Sequence, residues 1–122
     1  MKQVLIVDDN ILDNKAVRLA LSGQYLTSSV TSGSDVFLYL NSHRPDMILL
    51  DQFMPDMTGF DVIRRLKSDE ALADIPVMFI TADDTGSVES NCFRLGAVDC
   101  IHKPANRDIL LKRLNSRLRE AE

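Results

Sequence analysis

Three four-residue runs in this chain are apolar without alternation: Val4-Leu5-Ile6-Val7, Met47-Ile48-Leu49-Leu50 and Val77-Met78-Phe79-Ile80. A strand with one wet face alternates apolar and polar residues, whereas a strand that is apolar throughout must be covered on both sides. Each run also ends in a polar residue or pair: Asp8-Asp9 after the first, Asp51 after the second and Thr81 after the third. Between the runs lie stretches with helical periodicity. A fold with strands buried on both faces and helices between them is therefore the main constraint that the sequence sets.

The strand and helix signals predict five β/α units. Strands are expected over Gln3–Val7, Tyr25–Thr31, Met47–Leu50, Pro76–Ile80 and Val98–His102. Helices are expected over Ile11–Leu21, over a short segment capped by Ser34 and running to Leu40, after a Thr58 cap through Leu66, over Asp84–Leu95, and over Asn106–Glu120. This is an α/β, doubly wound, flavodoxin-like (βα)5 domain with a five-stranded parallel sheet in the order 2-1-3-4-5. A chain of 122 residues suits one domain of this kind. At its mass about two-thirds of the unfolded surface is buried on folding, so the core needs no staple.

Composition removes several classes. The longest apolar runs fall far short of the ~20 residues of a membrane helix, and no signal peptide is visible. Cys92 and Cys100 lack metal-site spacing, so a reducing cytoplasm is the default location. Net charge −4 argues against direct nucleic-acid binding. Of the 18 acidic residues 14 are Asp, a residue of caps, turns and metal sites, so a few of them become candidates for chemistry.

In open parallel sheets the site lies beyond the carboxyl ends of the strands. Asp8, Asp9, Asp51, Thr81 and Lys103 all fall there. Three converging carboxylates need a cation, and hard oxygen ligands suit Mg²⁺ or Mn²⁺. A carboxylate beside such an ion can attack phosphorus. Phosphoryl transfer mainly needs positioning and neutralisation of the equatorial oxygens. The ion, the Lys103 ammonium, and the Thr81 hydroxyl with the Ala82 N–H would each take one oxygen. No positioned base is evident to drive rapid hydrolysis.

The ordered blocks Val-Leu-Ile-Val-Asp-Asp (4–9), Leu-Leu-Asp-Gln-Phe-Met-Pro-Asp-Met-Thr-Gly-Phe-Asp (49–61), Ile-Thr-Ala (80–82) and Gly-Ala-Val-Asp-Cys-Ile-His-Lys-Pro (96–104) resemble the receiver domain of two-component response regulators. The resemblance spans nearly the whole chain. It implies that Asp51 is the phosphoacceptor, and that Asp9, Asp51 and the backbone carbonyl of Phe53 bind Mg²⁺ directly, with Asp8 acting through a water. It further implies Thr81 as the switch hydroxyl, Lys103 as the cation that pairs with phosphate, and a cis Lys103-Pro104 bond. The implied partner is a histidine kinase or phosphotransfer domain.

Two positions depart from the family pattern. Cys100 stands where the family has Tyr or Phe, which puts the aromatic readout in doubt. Gln52 follows the phosphoacceptor where an apolar residue is usual, and either borders the site or faces solvent. Asp56 reads as a turn residue, and Gly59 as a glycine that permits close packing of its loop.

The closing helix carries Arg107, Lys112, Arg113, Arg117 and Arg119 against Asp108, Glu120 and Glu122. Its Leu111, Leu114 and Leu118 read as the start of a heptad-like stripe. The expectation is the N-terminal domain (1–122) of a larger regulator, with a cyclic-di-GMP enzyme or a kinase as output. Homodimerisation through the face of the fourth helix, fifth strand and final helix is a further expectation. A protein-binding pseudo-receiver and a Mg²⁺-dependent phosphohydrolase remain as alternatives. The second would want an acid two residues beyond Asp51, where Phe53 stands.

Overall fold

The computed structural model describes residues 1–120, with side chains through Leu118. Along the chain run β1 (Gln3–Val7), α1 (Ile11–Leu21), β2 (Leu26–Val30), α2 (Gly33–Leu40), β3 (Met47–Leu50), α3 (Gly59–Lys67), β4 (Val77–Thr81), α4 (Ser87–Cys92), β5 (Asp99–His102) and α5 (Arg107–Glu120). The strands form one sheet in the order β2-β1-β3-β4-β5, and every neighbouring pair is parallel. This is the expected (βα)5 architecture.

Strand residues alternate between two cores, which is why they are apolar throughout. Leu5, Val7, Ile48, Leu50, Val77 and Phe79 face one side and pack with α2, α3 and α4 through Val36, Val62, Ile63, Leu66, Val88 and Cys92. Val4, Ile6, Met47, Leu49, Met78 and Ile80 face the other side, against Val17 and Leu21 of α1 and Leu110, Leu111, Leu114 and Leu118 of α5. The leucines of α5 thus belong to this domain's own core and form no free stripe. The side chains of Arg119 and Glu120, and the whole of Glu122, lie outside the described residues. Among the described residues no helix is long and apolar enough to cross a membrane.

Several boundaries differ from expectation for local reasons. Ser32, not Ser34, caps α2, its side chain accepting from the Asp35 N–H. The Gly33 and Ser34 N–H groups donate instead to the two oxygens of Asp56 at 3.0 and 2.9 Å, so this residue tethers the β3–α3 loop to the start of α2. The helix expected over Asp84–Leu95 is shortened at both ends. At its start Asp83 and Thr85 side chains accept the Thr85, Ser87 and Val88 N–H groups, and Gly86 sits at φ +82°. At its end the chain tightens into a turn that closes on Gly96, at φ +106°. The other ends move by at most one residue, as at the start of α5, where Asn106 accepts from the Asp108 and Ile109 N–H groups.

β5 is tied to α5 by charge. Asp99, 3% exposed, accepts from Arg113 Nη1 at 2.8 Å and Arg117 Nε at 3.3 Å.

Candidate functional site: the acidic edge of the sheet

Register brings the acids together. Val7 pairs with Leu50, so Asp8 and Asp51 leave β1 and β3 side by side, and the Asp51 N–H donates to the Val7 carbonyl at 2.9 Å. Thr81 pairs with His102, and the Lys103 N–H donates to the Thr81 carbonyl at 2.8 Å. All five strand-end residues singled out in the sequence therefore sit on one edge. The Lys103-Pro104 bond is cis.

Carboxylate oxygens of Asp8, Asp9 and Asp51 lie within 4.8 Å of one another. Asp8 and Asp51 are buried, and Asp9 is exposed. The Lys103 ammonium reaches Asp8 Oδ2 at 2.7 Å, Asp13 Oδ2 at 3.0 Å and Asp51 Oδ2 at 3.5 Å. Burial pushes the Asp51 carboxyl up, the Lys103 ammonium pulls it back and Asp8 raises it again, leaving it at about 6. Burial alone would lower the Lys103 ammonium, but hydrogen bonds to Asp8 and Asp13 and the charge of Asp51 hold it above the ordinary lysine value. Two buried carboxylates and an exposed third form a strained anionic cluster. Oxygens this close suit a small divalent cation, which bonds oxygen at about 2.1 Å.

The surroundings fix the two buried acids. Asn14, buried in α1, donates through Nδ2 to the Asp8 and Val30 carbonyls at 3.1 and 3.3 Å. Gly59 opens α3 directly against the site: a Cβ there would lie 2.6 Å from the Asp51 carbonyl oxygen and 2.7 Å from the Phe79 ring. Gln52 is buried and turned inward, its Oε1 accepting from the Phe60 N–H at 2.9 Å. It satisfies a first-turn donor of α3 and does not face solvent. Phe53 is exposed, at 56%.

Thr81 is 1% exposed, and its Oγ1 accepts from the Asp83 N–H at 3.1 Å. Asp83 in turn accepts from the Val88 N–H in the first turn of α4 at 3.0 Å. Cys100 lies on β5 against the core that contains Cys92 of α4. Burial, then the neighbouring Cys92, pushes its thiol up to about 12, which suits a packed side chain and not a reactive one. It lines a groove of about 400 Å³ with Glu89, Ile109 and Arg113.

Asp13 was not foreseen. In the sequence it stands three residues after Asn10, the spacing of a helix cap, and nothing in that spacing points across the sheet to residue 103.

A family model for the response regulator receiver domain matches residues 4–115. The chain belongs to this family. The two-component response regulator ORR3 of Oryza sativa subsp. indica is 37% identical over 103 residues, covering 83% of this chain and 79% of that protein. A probable cyclic di-GMP phosphodiesterase of Vibrio cholerae is 33% identical over 115 residues, covering 94% of this chain but 26% of that protein. The signal receiver domain of a histidine kinase from Syntrophus aciditrophicus has the same fold, with a TM-score of 0.89, 29% identity and coverage of 98% and 92%. The receiver domain is a signalling module of two-component systems, and phosphorylation with Mg²⁺ is typical of its family.

Proposed function

We propose that Asp51 accepts a phosphoryl group from the phosphohistidine of a histidine kinase or phosphotransfer domain. The supporting observation is the edge itself: three carboxylates within 4.8 Å, with an ammonium 3.5 Å from the central one. A deprotonated Asp51 oxygen attacks phosphorus in line. The new P–O bond forms as the P–N bond breaks, and the electron pair leaves with the imidazole. Lys103 stabilises one equatorial oxygen, and the Thr81 hydroxyl and Ala82 N–H take another. Asp8, Asp9, Asp51 and the Phe53 carbonyl would hold Mg²⁺, which when bound neutralises charge on the phosphoryl group.

Thr81 then exchanges its bond from Asp83 for one to phosphate, which releases a constraint on the start of α4. The face built from α4, β5 and α5 changes its preference for partners or for a second copy of the chain. The Vibrio cholerae relative supports a cyclic-di-GMP enzyme as one kind of output for a chain like this. On this reading the chain has no turnover substrate, and Phe53 stands where a phosphohydrolase would place its acid.

Incubation with acetyl phosphate and Mg²⁺, followed by intact-mass measurement, should add one phosphate. The gain should vanish in Asp51→Asn and when Mg²⁺ is chelated. No gain with acetyl phosphate or with any phosphohistidine donor would refute the assignment. Structural change with beryllofluoride separates it from a pseudo-receiver, which would show none.

A further inference from the structure

The spacing of Asn10 and Asp13 at α1 matches that of Thr58 and Asp61 at α3, yet the two pairs end differently. At α3 the box closes: the Asp61 N–H donates to Thr58 Oγ1 at 3.2 Å, and the Thr58 N–H donates to Asp61 Oδ2 at 3.1 Å. At α1 only half forms. The Asp13 N–H donates to Asn10 Oδ1 at 3.0 Å, but the Asn10 N–H is taken by Asp8 Oδ1, also at 3.0 Å. With that donor occupied, the Asp13 carboxylate turns away from the helix end, and its Oδ2 meets Lys103 Nζ at 3.0 Å.

An ammonium has three N–H donors. Lys103 has three carboxylate neighbours, Asp8, Asp13 and Asp51, at 2.7, 3.0 and 3.5 Å. Asp8 and Asp51 belong to the cluster that suits a divalent cation, and Asp13 does not. Once an ion draws on Asp8 and Asp51, Asp13 is the anion left on the lysine.

We propose that Asp13 is a positioning residue that holds the Lys103 ammonium and offsets part of its charge, so that it sets the balance between cation affinity and phosphoryl affinity at this edge. This rests on the phosphoacceptor reading given above. Three carboxylates face one ammonium in the wild-type chain, and two in Asp13→Asn. A divalent cation prefers the first arrangement, and an incoming phosphoryl dianion prefers the second. A side chain with a purely structural role would move both affinities in the same direction. Asn keeps an acceptor for Lys103, so the substitution isolates charge.

In the full chain, Mg²⁺ affinity is read by titration calorimetry, and phosphorylation by acetyl phosphate at saturating Mg²⁺ by intact mass. Asp13→Asn should weaken Mg²⁺ binding and speed phosphorylation, each by about two- to fivefold for a charge this near a partly exposed site. Both differences should shrink at about 0.5 M salt, because the Asp13 side chain is 44% exposed. Equal affinity and rate in the two proteins, or a fall in both, would overturn the inference. A wild-type chain that takes up no phosphate would refute the phosphoacceptor reading instead, and the calorimetric arm would still decide whether the Asp13 charge is felt at the cation site.

Discussion

Removing the Asp51 charge should stabilise the metal-free protein at neutral pH, and the gain should fade as the solution is acidified. The native carboxyl sits at about 6 against an ordinary value of 3.8, because burial and Asp8 outweigh the Lys103 ammonium. Between those values the native state binds more protons than the unfolded chain, so stability falls as pH rises. The contribution is fully present below 3.8 and is lost once the pH has passed about 6. At 1.36 kcal/mol per pKa unit, the difference amounts to about 3 kcal/mol. The side chain is 7% exposed, so solvent screens little of it. Asp51→Asn cannot ionise and lacks this slope. Urea unfolding followed by far-UV circular dichroism, in chelator, at several points from about pH 4 to about pH 7.5 gives both stabilities. The variant should gain on the wild type by about 3 kcal/mol across that range. Added Mg²⁺ should close the gap at the upper end, because it stabilises the ionised cluster of the wild type. A difference that stays flat with pH, or a variant less stable than wild type near neutrality, would refute this account of the cluster.

Two further outcomes follow from packing and capping. Gly59→Ala should destabilise by about 2 kcal/mol despite alanine's better helix propensity, since its Cβ would lie 2.6 Å from the Asp51 carbonyl oxygen; slower labelling by acetyl phosphate should accompany the shift in urea midpoint. The backbone N–H groups of Ser34 and Gly33 hold Asp56 down at about 2. Asp56→Ala should therefore cost about 1 kcal/mol at neutral pH, most of the shift being screened at this exposed position. That cost should be present above 3.8 and disappear as the pH falls through about 2, read by thermal unfolding across the acid range.

The sheet and its acidic edge were legible because each rests on a local signal that the fold preserves. Apolar runs such as Val4–Val7 are buried on both sides, and the residues that follow them must emerge at one edge. Even the close approach at Gly59 followed from its place after Thr58. What escaped depended on long-range competition for one donor or acceptor. Asn10-x-x-Asp13 and Thr58-x-x-Asp61 look alike in sequence, and only the prior claim of Asp8 on the Asn10 N–H separates them. Gln52 and Asp56 serve the starts of α3 and α2 through contacts that no spacing discloses. α4 fell short of its expected length because Asp83 and Thr85 take up N–H groups that a longer helix would have used.

The buried carboxylate of Asp99 has a mechanical consequence. A slide of α5 along β5 would pull Arg113 and Arg117 away from it and strand a charge, at about 3–5 kcal/mol. Strand and helix thus move as one stiff plate. The short α4 is anchored at its start through Asp83 to the Thr81 hydroxyl, a hold that one rotated side chain can release. Between strand and helix Cys92 and Cys100 pack in one core, small side chains at the contact of α4 with β5. On the switching reading proposed above, the line between α4 and this plate is where the surface offered to partners would change, with the Asp99 pairs holding the rest.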